Sequence, residues 1–490
     1  MNKTISIVLG PAVFILLYIT GPFGDMSPTA HAALACTSWI AIWWVTEAIP
    51  IAVTSLMPLI IYPLMDVMDI RTSSDAYSNS YIYLFLGGFM LAIAMEKWNL
   101  HRRIALKIIY VIGTNMRQMV LGFMLATGFL SMWISNTATT VMMLPVALSI
   151  IVQFKIFNEK TDKPIEGSET FPIALILALP YAASIGGIAT LVGTPTNLIF
   201  VESVDRLYGT SIPFDEWFAI GFPVSIILLA ICWLNMTRFS FKLSNERIPG
   251  SRTIIQNELN ALGPMSYEEK WVLGVFSSVA FCWITRSYLI TPIIPALNDT
   301  VIVLIGATLL FIIPSSLKGE KIMDWQSALK LPWGVLLLFG GAFAVAAAFA
   351  ESGLTLWIGA QLASLSAIPF WIALLIVVTA VNFLTEITQN VATCTLMMPI
   401  MAALAAGIGV HPFPLMAATC MASTCAFMLP VATPPNAVVF GSGYIKMKDM
   451  VRAGFVMNLL SIVVVVIIVY FLLPLVWGID LTTFPMELNR

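Results

Sequence analysis

Two stretches of this chain carry the same polar interruption inside an apolar setting. The first reads SNTATTVMMLP, Ser135 to Pro145, and the second QNVATCTLMMP, Gln389 to Pro399. Asn136 aligns with Asn390 and Pro145 with Pro399, both at an offset of 254 residues. A proline break follows each copy: GTPTN at Gly193–Asn197 and ATPPN at Ala432–Asn436. A double glycine precedes each, Gly87-Gly88 and Gly340-Gly341. Paired repeats that place small polar residues and broken-helix dipeptides within apolar runs constrain the chain to two related halves. That is the pattern of a secondary transporter.

Composition agrees with a polytopic, all-α membrane protein. The chain has 490 residues, 59% hydrophobic and 10% charged, which rules out a string of soluble domains. A net charge of −2 gives no reason to expect a nucleic-acid partner. The six cysteines, Cys36, Cys232, Cys282, Cys394, Cys420 and Cys425, lie in apolar runs without a CxxC pair. They read as small buried hydrophobes and not as zinc ligands or disulfides. The first apolar run lacks an obvious cleavage site and reads as an uncleaved first helix.

Apolar runs of spanning length fall near 4–20, 32–50, 51–65, 80–96, 171–203, 218–236, 271–286, 298–314, 331–350, 413–440 and 453–477, about eleven in all. The second and third meet at Ile49-Pro50 and read as a tight pair or one bent span. Segments 117–151 and 369–408 are too long for one span and polar at their middles. Each is expected to fold as a re-entrant helical hairpin with its tip at mid-membrane, where protein or a water-filled cavity must surround it. With a cytoplasmic N-terminus and an external C-terminus, this layout puts twenty of the 24 Lys and Arg inside and leaves Arg71, Arg206, Arg286 and Arg490 outside. The inside set includes Lys160 and Lys163. Making either hairpin a single crossing would reverse every later loop and spoil this asymmetry, so the repeats are expected to be inverted. The organisation that follows is 1–116, scaffold and entry spans; 117–237, first hairpin, broken helix and next span; 238–266, cytoplasmic linker; 267–368, scaffold of the second repeat; and 369–490, second hairpin, broken helix and last span.

The hairpin tips offer Ser135, Asn136 and Thr137 on one side and Gln389, Asn390 and Val391 on the other. The breaks offer Thr194-Pro195-Thr196-Asn197 and Thr433-Pro434-Pro435-Asn436. Proline removes a backbone donor and breaks the helix. A break frees carbonyls for a small cation and exposes helix N-termini that favour an anion. Asn and Gln present both an acceptor and a donor. No Lys, Arg or His lies between Gln118 and Gln153, or between Pro369 and Val410. A doubly charged anion at mid-membrane would need counter-charge, and hard oxygen ligands suit Na⁺. The bland reading, that these residues join helices by hydrogen bonds, fits one isolated tip less awkwardly than two matched ones. The double glycines read as close packing. Glu386, just before the second tip, is a further candidate, while His31, His101 and His411 fall at span ends. No HExxH, Gly-Lys phosphate loop or GxSxG elbow exists, so an enzyme is not expected. A channel is the other non-enzyme reading.

At these motifs the sequence resembles the divalent anion/Na⁺ symporter family, over nearly the whole chain. The segment WWVTEAIPIAVTSLMP, Trp43–Pro58, the first tip and both breaks carry the likeness. The resemblance implies an elevator-type homodimer in the plasma membrane, with Na⁺ and no organic cofactor. It implies that substrate carboxylates meet Asn136, Thr137, Asn390, Thr433 and Pro434, with Ser135 and Thr194 beside them. One Na⁺ would meet Ser131, Ser135, Asn136 and Gly193; another would meet Thr385, Thr388, Asn390 and Ala432. The departure is Gln389 and Val391, where the family pattern has SNT or SNV. Val391 removes a hydroxyl, and Gln389 replaces a short hydroxyl beside the second cation. The expected function is transport of C4/C5 dicarboxylates by Na⁺ symport, the reading that a site without basic residues favours; Na⁺-independent exchange is the alternative, and a citrate or sulfate transporter a weaker one. The expected partners are a small di- or tricarboxylate and membrane lipid.

Overall fold

The computed structural model describes residues 3–159, 167–247, 250–485 and 488. Lys160, Lys163 and Arg490 of the charge count lie outside the described residues. The described chain is helical, with two isolated β-bridges and no strand. It enters through α1 (Lys3–Thr20), α2 (Pro28–Thr46), α3 (Ile51–Thr54), α4 (Pro58–Leu64) and α5 (Ile70–Asp75). The first repeat is α6 (Ser80–Lys97), α7 (Leu100–Ile112), α8 (Met116–Ser131), α9 (Asn136–Glu159), α10 (Phe171–Gly187), α11 (Pro195–Tyr208) and α12 (Phe214–Leu234). Then come α13 (Ser251–Ala261), α14 (Tyr267–Thr285), α15 (Asp299–Ile312) and α16 (Trp325–Ala328). The second repeat is α17 (Trp333–Glu351), α18 (Leu354–Leu362), α19 (Phe370–Ile387), α20 (Asn390–Ile408), α21 (Pro412–Thr424), α22 (Pro434–Phe440) and α23 (Met447–Trp477).

Among the described residues, nine helices or helical runs are long and apolar enough to cross a membrane, three of them being the hairpin arms α9, α19 and α20. The runs expected at 171–203 and 413–440 are each two helices, α10 with α11 and α21 with α22, because proline begins the second member of each pair. The run around Ile49-Pro50 is neither a bent span nor a simple pair. Glu47 turns left-handed at φ 46° and ends α2, and only the short α3 and α4 follow. The linker contains the helix α13, and buried Arg103 pins its far end by donating to the Gly263 carbonyl at 2.9 Å and to Glu269, in the first turn of α14, at 2.7 Å.

Almost all of α10 and all of α21 are buried. A helix buried on every face belongs at the centre, and these two form the middle of each repeat. α8 and α9 pack on α10, as α19 and α20 pack on α21; α12 lies against α10, as α23 lies against α21. The repeats also exchange elements. The second helix of each broken pair leaves its own repeat: α11 packs on α20 and α21, and α22 packs on α9 and α10. Apolar side chains are exposed along the outer helices, among them Leu16 and Ile19 on α1, Phe281 on α14 and Phe471 on α23. Hydrocarbon chains, not water, suit such a surface.

Candidate substrate and cation site

Both hairpin tips and both breaks face one cavity of about 520 Å³. Ser135, Asn136 and Thr137 line it from one tip, and Gln389, Asn390 and Val391 from the other. Gly193, Thr194 and Pro195 reach it from the first break, and Ala432, Thr433, Pro434 and Pro435 from the second. α9, α11 and α20 begin at this cavity, as does the short α22. Their free amides and positive dipole ends therefore converge on one space, which suits an anion. None of the lining residues is charged.

Beneath the lining, each tip turns on the same hydrogen bond. Ser131 Oγ donates to Asn136 Oδ1 at 2.5 Å, and Thr385 Oγ1 lies 2.9 Å from Asn390 Oδ1 and 2.8 Å from the Ser423 carbonyl. The hydroxyl sits five residues before the amide in both copies. In the first repeat Gly187 completes the pocket. A Cβ on Gly187 would stand 2.8 Å from Asn136 Oδ1 and 3.1 Å from the Gly193 carbonyl, so side-chain and main-chain oxygens crowd together there. Oxygens from a hydroxyl, an amide and a carbonyl are donors of the kind Na⁺ takes. Thr388 is arranged differently from the other expected cation ligands: its hydroxyl donates to the Leu384 carbonyl at 2.8 Å and pairs with the Thr393 hydroxyl at 2.5 Å.

The breaks are held open by asparagine. Asn197 Nδ2 lies 3.0, 3.3 and 2.7 Å from the carbonyls of Gly187, Ile188 and Thr190. Asn436 Nδ2 donates to the carbonyls of Ala426 and Leu429, each at 3.1 Å. Each amide thus takes carbonyls that the interrupted helix leaves without partners. In the second repeat the freed N–H groups are taken as well. Glu386, buried, accepts from the amides of Phe427 at 2.7 Å, Met428 at 2.9 Å and Leu429 at 3.0 Å, and from Asn458 Nδ2 at 2.8 Å. The carboxylate binds this break and does not line the cavity.

Several features lay outside the motifs. One wall is apolar: Ile51 and Ala52 on α3, Phe85 and Phe89 on α6, and Pro332, Gly334, Val335 and Leu338 at α17. They come from segments whose sequences look like any other span, apart from the double glycines that α6 and α17 each carry. The Thr196 and Thr424 hydroxyls pair at 2.9 Å between α11 and α21. Gln389 Nε2 donates to Glu47, the residue that ends α2.

Comparison with known proteins agrees with this architecture. Residues 2–478 match the family model described as the sodium:sulfate symporter transmembrane region. The sodium-dependent dicarboxylate transporter SdcS of Staphylococcus saprophyticus is 46% identical over 486 residues, 98% of this chain and 93% of the relative. SdcS of Staphylococcus aureus is 44% identical over 484 residues, with the same coverage. Two solved structures share the fold at low identity. The Alcanivorax borkumensis YdaH transporter has a TM-score of 0.57 at 14% identity, covering 97% of each chain. Neisseria gonorrhoeae MtrF has a TM-score of 0.60 at 11%, covering 95% of this chain and 94% of its own. By the match over nearly its whole length, the chain belongs to the family of the sodium:sulfate symporter transmembrane region.

Proposed function

We propose that this protein is a secondary active transporter that carries C4/C5 dicarboxylates, such as succinate, malate, fumarate or 2-oxoglutarate, together with Na⁺. The observation that carries the reading is the cavity itself. Two amide-bearing tips and two proline-broken helices converge on it, and no lining residue is charged. Helix N-termini and amide N–H groups can hold carboxylates, yet two negative charges in a low-dielectric site need compensation. Na⁺ ions beneath the tips supply it, and relatives named as sodium-dependent dicarboxylate transporters at 44–46% identity support both cargoes.

In this mechanism Asn136, Thr137, Asn390, Thr433 and Pro434 meet the carboxylates, with Ser135 and Thr194 at the edge. Ser131, Ser135, Asn136 and Gly193 hold one Na⁺; Thr385, Thr388, Asn390 and Ala432 hold the other. Each asparagine turns its oxygen to the cation and its NH₂ to the anion, so neither ligand is held well alone. The hairpins are re-entrant and inverted in the plasma membrane, with the N-terminus cytoplasmic and the C-terminus outside. The hairpins, broken helices, α12 and α23 move as a transport body past a scaffold of the remaining spans. The scaffold joins two protomers, and no organic cofactor takes part.

Uptake of labelled dicarboxylates into proteoliposomes tests this. An inward Na⁺ gradient should drive accumulation without any substrate inside, and replacing Na⁺ with K⁺ should abolish it. Uptake indifferent to Na⁺ but dependent on internal dicarboxylate would replace symport with exchange. Saturation and counterflow would exclude a channel.

A further inference from the structure

A second cavity, of about 440 Å³, lies away from the transport site and is lined by Arg117, Arg238, Lys242, Leu243 and Ser244. Its three cations come from two places in the chain. Arg117 is in the first turn of α8, where the helix's positive end adds to its charge. Arg238 lies in the π-helical turn Asn235–Ser240 that ends α12, and Lys242 follows it. The arrangement is built, not incidental. Arg117 Nε donates to the Leu243 carbonyl at 2.7 Å, and Trp233 Nε1 donates to the Arg117 carbonyl at 2.9 Å. Lys242 has a left-handed backbone, φ 45°, which a non-glycine residue adopts at a cost.

No carboxylate lines this cavity, and none of the three cations has an ion-pair partner among the described residues. The basic residues at the end of α6 and the start of α7 do have partners: Lys97 pairs with Asp324, Arg102 with Glu258 and Arg103 with Glu269. A general excess of positive charge at helix ends therefore does not account for three that converge unpaired. The position fixes what the partner is. α12 exposes Phe222, Ile226 and Ile227 along its length, Phe239 beside Arg238 is 70% exposed, and Trp233 marks the helix end. Exposed apolar side chains that give way to tryptophan and then to cations mark a membrane–water boundary.

We propose that this cavity binds a phosphate anion, presented as the headgroup of an anionic phospholipid at the membrane face. Arg117 and Arg238 offer planar donors to phosphate oxygens, Lys242 a point charge, and Phe239 an anchor among the acyl chains. A lipid held here touches α8 and the end of α12.

Native mass spectrometry of the full-length protein, released from detergent with phosphatidylglycerol or phosphatidylcholine, reads the outcome. Phosphatidylglycerol should be retained in preference. Arg238→Gln and Lys242→Gln should each weaken retention about fivefold, the effect of one basic residue near an anionic surface. Lys242→Arg should retain the lipid as wild type does, and dicarboxylate uptake by Lys242→Gln should persist, which shows that the fold is intact. Equal retention of the two lipids, or unchanged retention in both Gln variants, overturns the proposal. Titration with inorganic phosphate separates the sources. If free phosphate binds and displaces phosphatidylglycerol completely, the site serves a soluble anion and the lipid assignment is wrong.

Discussion

Asn136 and Asn390 both line the cavity, and each has its amide oxygen fixed by a hydroxyl five residues upstream. A polar group aimed at a charged ligand contributes about 1.5–3 kcal/mol. Asn136→Ala and Asn390→Ala should therefore each raise the dicarboxylate Kd roughly ten- to a hundredfold, read by binding to purified protein. Unchanged binding in either variant would remove that tip from the site. Gln389 is a different case. Its amide is engaged by Glu47 and not by the Thr385–Asn390 pair. Gln389→Ser should leave dicarboxylate affinity within about threefold, since a bond to an exposed carboxylate is screened by solvent and contributes little net; a tenfold loss would show that the amide serves substrate. The polar half of this site is readable from the chain because its two copies carry the same residues at one offset. The apolar half is not: Phe85, Val335 and Leu338 have no sequence mark that separates a cavity wall from an ordinary packing face. Glu47 gave no warning of its reach either, since a left-handed glutamate is a local backbone event that pattern does not encode.

The same crossing of helices is solved twice by different chemistry, and this explains why the internal match fades between the motifs. In the first repeat α8 and α10 meet at Gly128 and Gly186, backbone against backbone. In the second, Asn382 stands at the place of Gly128 and donates to the Cys425 carbonyl at 2.9 Å. Glu386 has no counterpart either, since Met132 occupies the matching position. Its role was not readable because a buried acid before a tip suggests a ligand, whereas the amides it serves lie about forty residues away. Glu386→Ala strands several buried donors, each costing about 1–3 kcal/mol. It should lower the melting temperature of the detergent-solubilised protein far more than Glu386→Gln, and a smaller effect of Ala than of Gln would contradict the role. Outside the spans, Asp324 caps α16, and its carboxyl is pushed down to about 2, first by the hydrogen bond from Lys97. A lowered value means that the charge stabilises the fold above the ordinary carboxyl range, and that the gain drains away as pH falls toward 2. Asp324→Asn keeps the cap but not the charge. It should be less stable than wild type at pH 7 by roughly 0.2–1 kcal/mol, as for other half-exposed pairs. The two unfolding curves should converge near pH 2.

The proposed inversion of the two halves predicts opposite accessibility. In a cysteine-free background, a single Cys at Ser135 should react best with an impermeant reagent in the inward-facing state, and one at Gln389 in the outward-facing state. Reaction of both from one side in every state would contradict the inverted arrangement. The two breaks could be read from proline, although helices such as α7 and α18 fall outside every expected run. That α11 and α22 change places between repeats could not, because periodicity reports which face is buried and never against which neighbour. That exchange bears on how the protein is made. When α11 leaves the ribosome, the helices it packs on, α20 and α21, do not yet exist. At about 5–20 residues per second they follow roughly 10–40 s later. Until then the first half waits in the bilayer with its break closed by Asn197 but with the Thr196 hydroxyl lacking its Thr424 partner. Nascent chains arrested before α20 should be prime clients of membrane quality control, and a gene split between the halves should yield protein only when both are translated together.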